Sequence, residues 1–131
     1  MEKLQKIEYE KLTLHDSGYS RYNKATKKYD YWYATTLYEE VKKQKLVPFN
    51  VPLAALVLDY LPFRVDHLDD FIYQVIRVRN TDTKYPIIID SLGTVADGYH
   101  RIAKAILDGK TTIKAYRLKE MPPIDKEEDD K

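Results

Sequence analysis

Apolar residues recur with different spacings along the chain, and each spacing predicts a secondary-structure element. Leu37 and Val41 lie four residues apart among polar residues, which predicts a helix over residues 33–44. Apolar residues then alternate with other residues over 49–53, which predicts a short strand. Residues 13–30 are rich in polar and turn-forming types, and we expect a long loop there.

A second helix is predicted after Asp66. This aspartate is a good N-cap residue, and Asp69 stands three residues later, where a capping box needs a carboxylate. The following apolar residues recur at spacings of three and four, so they form one stripe along the helix. The stripe, which ends at Arg79, consists of Leu68, Phe71, Ile72, Val75 and Ile76.

Residues 86–101, PIIIDSLGTVADGYHR, predict a strand, a tight turn, a partner strand and the start of a third helix. The first strand, over 86–90, is an apolar run that we expect to be buried on both faces. The helix is expected over 99–107 and ends before Gly109, and a last strand follows over 111–118. The predicted buried face of this helix consists of Ile102, Ala103, Ile106 and Leu107.

This order of elements predicts an α+β domain, in which a small mixed sheet has helices packed on one side. At 131 residues the chain is long enough for one core but not for two. We divide it into a tyrosine-rich N-terminal extension with one helix (residues 1–50), the α+β domain (51–121) and a disordered acidic tail (122–131).

Charge, cysteine content and hydropathy exclude several classes of function. The net charge is +1, so the chain as a whole exerts no strong attraction on nucleic acids or membranes. The absence of cysteine excludes disulfides, thiolate catalysis and zinc bound by cysteine. The sequence contains no recognisable signal peptide or membrane-spanning run, so we expect a cytoplasmic protein without a membrane partner.

Tyrosine is unusually frequent, with 12 residues, and six of them lie within residues 9–33. Such a cluster is typical of a packing surface, including a homodimer contact, or of an aromatic surface on which bases stack. We favour packing or a protein interface over base stacking.

The segment DGYHR, residues 97–101, is the clearest candidate for a functional site. His100 and Arg101 stand at the start of a helix, where the macrodipole disfavours positive charge unless an anion lies nearby. Gly98 leaves room for an anion, and the free N–H groups of residues 99–101 would point at it. Arg101 suits a bidentate phosphate contact, and His100 adds a donor whose charge changes near neutral pH. In the alternative interpretation, Asp97 is only an N-cap, His100 is exposed, and Arg101 pairs with Asp90 or Asp97.

Other charged residues of this region can have a purely structural role as well as a functional one. Asp90 and Asp97 flank the predicted hairpin and could converge on a metal ion, but Asp90 is favoured as a turn-capping residue. Arg77, Arg79 and Lys84 are expected to be solvated charges at a helix end, with anion binding as the alternative.

The segment 51–118 resembles the ParB/sulfiredoxin-like superfamily. The matching stretches are VPLAAL, HLDDFIYQVI, PIIIDSLGTVADGYHR and AKAILDGKTTIKAYRL. The resemblance implies the small mixed sheet of that superfamily and a nucleotide whose phosphates are bound at the start of the third helix. The phosphate-binding or nucleotide-binding residues that it implies are Arg64, Gly98, Tyr99, His100 and Arg101.

Members of this superfamily differ in their chemistry. Sulfiredoxins have a cysteine where this chain has Tyr99, so the repair of oxidised thiols is excluded. The free-serine kinases carry Asp-Gly-His-Thr-Arg, and by that likeness Asp97 would be a catalytic or Mg²⁺-binding carboxylate. Those kinases also use a glutamate before the helix that corresponds to the second one here, where the nearest carboxylate of this chain is Asp59.

The resemblance therefore implies an ATP- or CTP-type nucleotide with Mg²⁺, and phosphoryl transfer or nucleotide hydrolysis in which Asp97 and His100 are catalytic. One alternative is a non-enzymatic module that binds nucleic acid or protein, for example an accessory protein of a phage or mobile element. The other is a ParB-like nuclease.

Overall fold

Three α-helices and two β-sheets form within residues 18–129, which are the residues that the computed structural model describes. The predicted α+β class is confirmed. In chain order the elements are β1 (Gly18–Asn23), β2 (Lys28–Tyr33), α1 (Ala34–Lys43), β3 (Phe49–Pro52), α2 (Leu68–Asn80), β4 (Ile87–Ile89), β5 (Val95–Asp97), α3 (Tyr99–Leu107), β6 (Thr112–Arg117) and β7 (Lys126–Glu128). None of these helices has the length and apolar character needed to cross a bilayer.

The larger sheet has the strand order β3-β6-β4-β5, in which β4 and β6 run parallel and the other pairs run antiparallel. The three isoleucines of β4 are at most 5 % exposed, so the prediction of a strand buried on both faces is confirmed. Ile87 and Ile89 pack with Ile102 of α3 on one face. Ile88 packs with Leu37 of α1 on the other face.

Helices therefore cover both faces of the larger sheet, and the prediction of helices on one side only is wrong. A strand as apolar as β4 needs cover on each face, and the N-terminal part of the chain supplies the second layer. Trp32 of β2 and Leu37 of α1 share a hydrophobic cluster with Leu118. The described part of the predicted extension thus shares a core with the segment 51–121, while its first 17 residues lie outside the described residues.

The smaller sheet begins with a hairpin of β1 and β2, which pair antiparallel. The prediction of a loop over residues 13–30 is wrong for residues 18–23 and 28–30, and its first five residues are not described. Asn23 stabilises the turn of the hairpin, because its Oδ1 accepts a hydrogen bond from the N–H of Ala25 at 2.9 Å.

The third strand of the smaller sheet comes from the predicted tail. Strand β7 pairs antiparallel with β2, so the prediction of disorder is wrong for residues 126–128. The chain leading to it is fixed by Trp32, whose Nε1 donates a hydrogen bond to the carbonyl oxygen of Pro122 at 2.8 Å. A buried indole N–H needs such a partner, and this contact explains why an acidic segment is held in place. Residues 130–131 of the tail lie outside the described residues.

Helices α2 and α3 lie close to their predicted positions, but they bury different faces. In α2 only Ile76 of the predicted stripe is buried, whereas Leu68 is 73 % and Phe71 is 55 % exposed. This helix packs mainly against α3 and not on a sheet, so its covered strip is narrow. In α3 the buried residues are Arg101, Ile102 and Ala105, while Ile106 and Leu107 are exposed.

The start of α2 also differs from the prediction by one residue. His67 is the N-cap in place of Asp66, and the carboxylate of the capping box is Asp70 in place of Asp69. Asp70 Oδ2 accepts hydrogen bonds from the N–H groups of Asp66 and His67, each at 3.1 Å. These bonds hold the pKa of Asp70 below its ordinary value.

Candidate functional site

A cavity of about 610 Å³ lies at the N-terminal end of α3. Residues 96–101 line it, and so do residues of β1, β2, α1, α2 and the loop before α2. Its charged wall residues are Arg77, Asp97 and Arg101. Its aromatic wall residues are Tyr19, Tyr31, Tyr38, Tyr60, Phe63 and Tyr99, with the His100 ring beside them.

The backbone between β5 and α3 turns at Gly98, which has a φ of 113°. A Cβ atom at this position would lie 2.5 Å from Ile87 Cγ2, so glycine is required where α3 starts against β4. The N–H of Ile102 donates to the carbonyl oxygen of Gly98 at 3.0 Å. The N–H groups of residues 99–101 therefore have no acceptor within the helix.

Arg101 is buried, with 9 % of its surface exposed, and its guanidinium is surrounded by oxygen atoms. Nη2 donates to Asp97 Oδ2 at 2.6 Å and to the Tyr38 hydroxyl at 2.8 Å. Nη1 donates to the carbonyl oxygen of Pro86 at 2.7 Å. The pairing of Arg101 in the alternative interpretation is confirmed, with Asp97 as the partner. Its other two parts are wrong, because the N-cap is Gly98 and His100 is half-buried.

Tyr38, another residue of the cavity wall, completes this cluster. Its hydroxyl donates to Asp97 Oδ2 at 2.9 Å while it accepts from Arg101. Burial and the nearby Asp97 carboxylate raise the pKa of Tyr38 to about 12, so the hydroxyl stays protonated. Tyr38 belongs to α1, far in the sequence from residues 97–101, so that motif could not indicate it.

His100 is half-buried and stacks on Phe63, with ring centroids 4.9 Å apart. Its Nε2 lies 2.7 Å from Gln74 Oε1, which accepts a hydrogen bond from it. Burial, together with the positive charges of Arg77 and Arg101, lowers the pKa of His100 to about 4. The expectation that its charge changes near neutral pH is therefore wrong, and the ring is neutral there.

Arg77 lines the same cavity from α2. Its Nε is buried and has no hydrogen-bond partner among the described residues. No described residue forms an ion pair with Arg77 either. Its guanidinium carbon lies 5.9 Å from the centroid of the Tyr73 ring. The prediction of a solvated charge is wrong for the Nε of this arginine, which is buried. The spacing of apolar residues could not reveal it, because the burial of Arg77 depends on how α2 packs against α3.

The two remaining predicted nucleotide-binding residues have different surroundings. Tyr99 lies in the cavity wall, where its hydroxyl donates to the carbonyl oxygen of Val95 at 3.1 Å and contacts the Tyr60 hydroxyl. Arg64 does not line the cavity. Its side chain is 88 % exposed and its Nε pairs with Asp66 Oδ2 at 2.5 Å.

Asp90 is fully buried outside the cavity wall and acts as a turn cap, as the favoured interpretation predicts. Its Oδ1 accepts from the N–H groups of Leu92 and Thr94 at 2.9 and 2.8 Å. Its Oδ2 accepts from the Tyr19 hydroxyl at 2.5 Å and from Arg21 Nη2 at 2.7 Å. Burial opposes ionisation, but these hydrogen bonds outweigh it and hold the pKa of Asp90 below its ordinary value.

The described wall contains one carboxylate, Asp97, whose Oδ2 already faces Arg101 and Tyr38. These residues alone do not form a Mg²⁺ site, because Mg²⁺ needs about six oxygen ligands and the others would have to come from phosphates or water. A separate group, His67 with Asp69 and Asp70, lies at the start of α2, where Asp70 serves as the capping carboxylate.

The described tyrosines of the N-terminal region contact one another or line the cavity. Tyr19 stacks on Trp32 with centroids 5.9 Å apart, and two further tyrosine pairs meet edge to face. These pairs are Tyr22 with Tyr29 and Tyr31 with Tyr33. The homodimer contact through this region stays a prediction, and Tyr9 lies outside the described residues.

Comparison with known proteins adds no relative to this description. No protein-family model, no curated protein and no solved structure matches the chain.

Proposed function

We propose that the cavity binds a small molecule of nucleotide type, with its phosphate at the start of α3 and its base against the aromatic wall. The observation that carries this proposal is Arg77, which lines the cavity and makes no ion pair and no hydrogen bond with a described residue. An arginine in a cavity wall without an anionic partner can bind an anion in that cavity through its guanidinium group.

The start of α3 adds further donors to this part of the cavity. The N–H groups of residues 99–101 have no acceptor within the helix, and Gly98 to Arg101 line the cavity. Free N–H groups at the start of a helix favour a phosphate because of their direction and because of the helix dipole. Their position in the same wall as Arg77 supports one shared anion.

The aromatic wall supports a planar group next to that phosphate. Tyr60 and Tyr99 meet edge to face with centroids 5.9 Å apart, and Phe63 lies on the His100 ring. Aromatic rings of this kind stack with any base, whatever its hydrogen-bonding edge. The cavity volume of about 610 Å³ is within the range of small-molecule sites.

Binding is better supported than catalysis. Asp97 would have to leave Arg101 before it could act on a substrate, since they are 2.6 Å apart. His100, with a pKa of about 4, is a weak base at neutral pH. A nuclease would need several carboxylates to hold metal ions, and the second candidate, Asp90, is fully used as a turn cap.

Thermal unfolding with a panel of ligands tests the proposal. We expect nucleotides to raise the unfolding temperature, and nucleosides without phosphate or inorganic phosphate alone to do so less. At a ligand concentration of 100 times Kd, the added free energy of unfolding is about 2.7 kcal/mol. No stabilisation by any mono-, di- or triphosphate nucleotide would reject the proposed function.

A further inference from the structure

The charges of the cavity wall restrict the anion that it can hold. The following inference rests on the proposed function and concerns the number of phosphate groups. We infer that the ligand carries a single phosphate group without a bound divalent cation, and that Arg77 is the charged residue that contacts this phosphate.

The described wall contains two guanidinium groups and one carboxylate. Arg101 is paired with Asp97 at 2.6 Å, so these two charges compensate each other. Arg77 is left as the one uncompensated charge of the described wall, because its neighbour His100 is neutral. A single phosphate group carries about −1.5 to −2 charges at pH 7, which one guanidinium and a helix N-terminus can largely balance.

A triphosphate places greater demands on a site. Proteins that bind triphosphates usually combine a lysine or arginine with Mg²⁺, which one or two carboxylates hold against the phosphates. The described wall has no lysine, and its single carboxylate already accepts hydrogen bonds from Arg101 and Tyr38. These contacts disfavour a nucleoside triphosphate with Mg²⁺ and favour a monophosphate.

Arg77 is better suited than Arg101 to contact the phosphate. Both terminal nitrogens of Arg101 already donate to oxygen atoms of the protein, at 2.6 to 2.8 Å for the three shortest contacts. Arg77 has no ion pair and no hydrogen bond with a described residue. Its planar guanidinium can therefore give two parallel hydrogen bonds to a phosphate, which a lysine could not.

Titration calorimetry tests the inference with AMP, CMP, ATP and CTP, each with Mg²⁺ and with a chelator. Wild type is compared with Arg77→Gln and with the control Arg79→Gln, which changes an exposed arginine of the same helix. We expect monophosphates to bind at least as tightly as triphosphates and without a Mg²⁺ requirement. Loss of a charged hydrogen-bond donor should weaken monophosphate binding by about 10- to 100-fold in Arg77→Gln, and Arg79→Gln should stay within about twofold of wild type.

An NMR pH titration of His100 provides a second readout. If Arg77 had only a structural role, monophosphate would leave the pKa of His100 unchanged. Monophosphate should raise the pKa of His100, because the bound anion offsets the charge of Arg77. If Arg77→Gln does not fold, Arg77→Lys replaces it, and we expect about a tenfold weaker affinity because the bidentate contact is lost.

The outcomes separate this inference from the proposed function. Tighter, Mg²⁺-dependent triphosphate binding would overturn the inference and leave nucleotide binding intact. Equal affinities for the Arg77 and Arg79 variants would do the same. If no nucleotide binds wild type, both proposals fail.

Discussion

Arg101 occupies an unusual position, a buried cation in the first turn of a helix. The helix dipole disfavours positive charge there, and the Asp97 carboxylate at 2.6 Å compensates for it within the chain. The same guanidinium also binds the carbonyl oxygen of Pro86 and the Tyr38 hydroxyl. This one side chain therefore connects α3 to the start of β4 and to α1.

Replacing Arg101 by glutamine should destabilise the fold. Breaking a buried ion pair leaves Asp97 without its counterion, and the expected loss is about 3–5 kcal/mol of the free energy of unfolding, measured by urea denaturation. The double variant Asp97→Asn with Arg101→Gln should recover part of that loss, because no buried charge remains unpaired. Arg101→Gln with wild-type stability would contradict this structural role.

His100 should make stability depend on pH between about 6.5 and 4. Its pKa is lowered in the folded state, so the unfolded chain takes up a proton first as the pH falls. Stability is therefore full above pH 6.5 and decreases until the folded state is also protonated near pH 4. Urea denaturation across this interval measures the slope, and His100→Gln, which cannot titrate, should reduce it. Identical slopes for both proteins would show that His100 is not responsible.

Asp90 also makes the fold less stable as the pH falls, but in a lower pH range. Its pKa lies below 3.8 in the folded state, so the stability that it provides is present above that pH and is lost as the pH falls further. The contribution of His100 therefore lies above the pH range in which Asp90 and Asp70 titrate.

Between elements, Gly98 and Gly109 mark the two ends of α3, and both have a positive φ, of 113° and 78°. They differ in their surroundings, because a Cβ atom at Gly98 would meet Ile87 at 2.5 Å, while nothing lies within 4 Å of one at Gly109. Gly98→Ala should therefore combine backbone strain with a clash and cost at least about 2 kcal/mol. Gly109→Ala carries strain alone and should cost about 1–2 kcal/mol.

Chemical denaturation of the two glycine variants measures this difference. Equal losses would mean that the contact with β4 is relieved by a shift of Ile87. A larger loss for Gly109→Ala would contradict the packing at the start of α3.

The ends of α3 could be predicted from the sequence, whereas its buried face could not. The bounds of α3 agree with the predicted 99–107, since Gly98 and Gly109 delimit it in the sequence as well as in the structure. Its buried face could not be predicted, because the charged Arg101 is buried while the apolar Ile106 and Leu107 are exposed. The same limit applies to Arg77 of α2, where burial depends on how the helix packs against α3 and not on its own periodicity.

The strands of the smaller sheet were missed for a different reason. Tyr29, Tyr31 and Tyr33 alternate along β2, and this period of two was the available signal for a strand. The polar residues and lysines around these tyrosines made the alternation hard to recognise as a strand. Strand β7 has no such signal, because Lys126 to Glu128 owe their conformation to pairing with β2 alone. Part of the candidate site could be predicted, because the segment 97–101 stands out in the sequence. Tyr38 and Arg77 could not, because only the fold brings them next to that segment.

The whole molecule is held together by chain segments that are distant in sequence. Trp32 is 3 % exposed, stacks on Tyr19 and donates to the carbonyl oxygen of Pro122, 90 residues further along. The N-terminal hairpin, the larger sheet and the last strand therefore depend on one another. Tyr19 in turn bonds Asp90, which connects the hairpin to the turn between β4 and β5.

Removing residues 122–131 should destabilise the entire fold, although this segment looks like a dispensable acidic tail in the sequence. The truncated chain loses β7 and the hydrogen-bond acceptor of Trp32, and an unpaired buried N–H costs about 1–3 kcal/mol by itself. Because Trp32 is the single tryptophan of the chain, its fluorescence reports on this site directly. We expect a lower urea midpoint and a red-shifted emission, since water would reach the indole. A control that lacks only residues 130–131 keeps both β7 and Pro122 and should match the full chain. If the long truncation leaves the midpoint and the emission unchanged, then β7 does not stabilise the smaller sheet, and the hairpin of β1 and β2 covers the larger sheet without it.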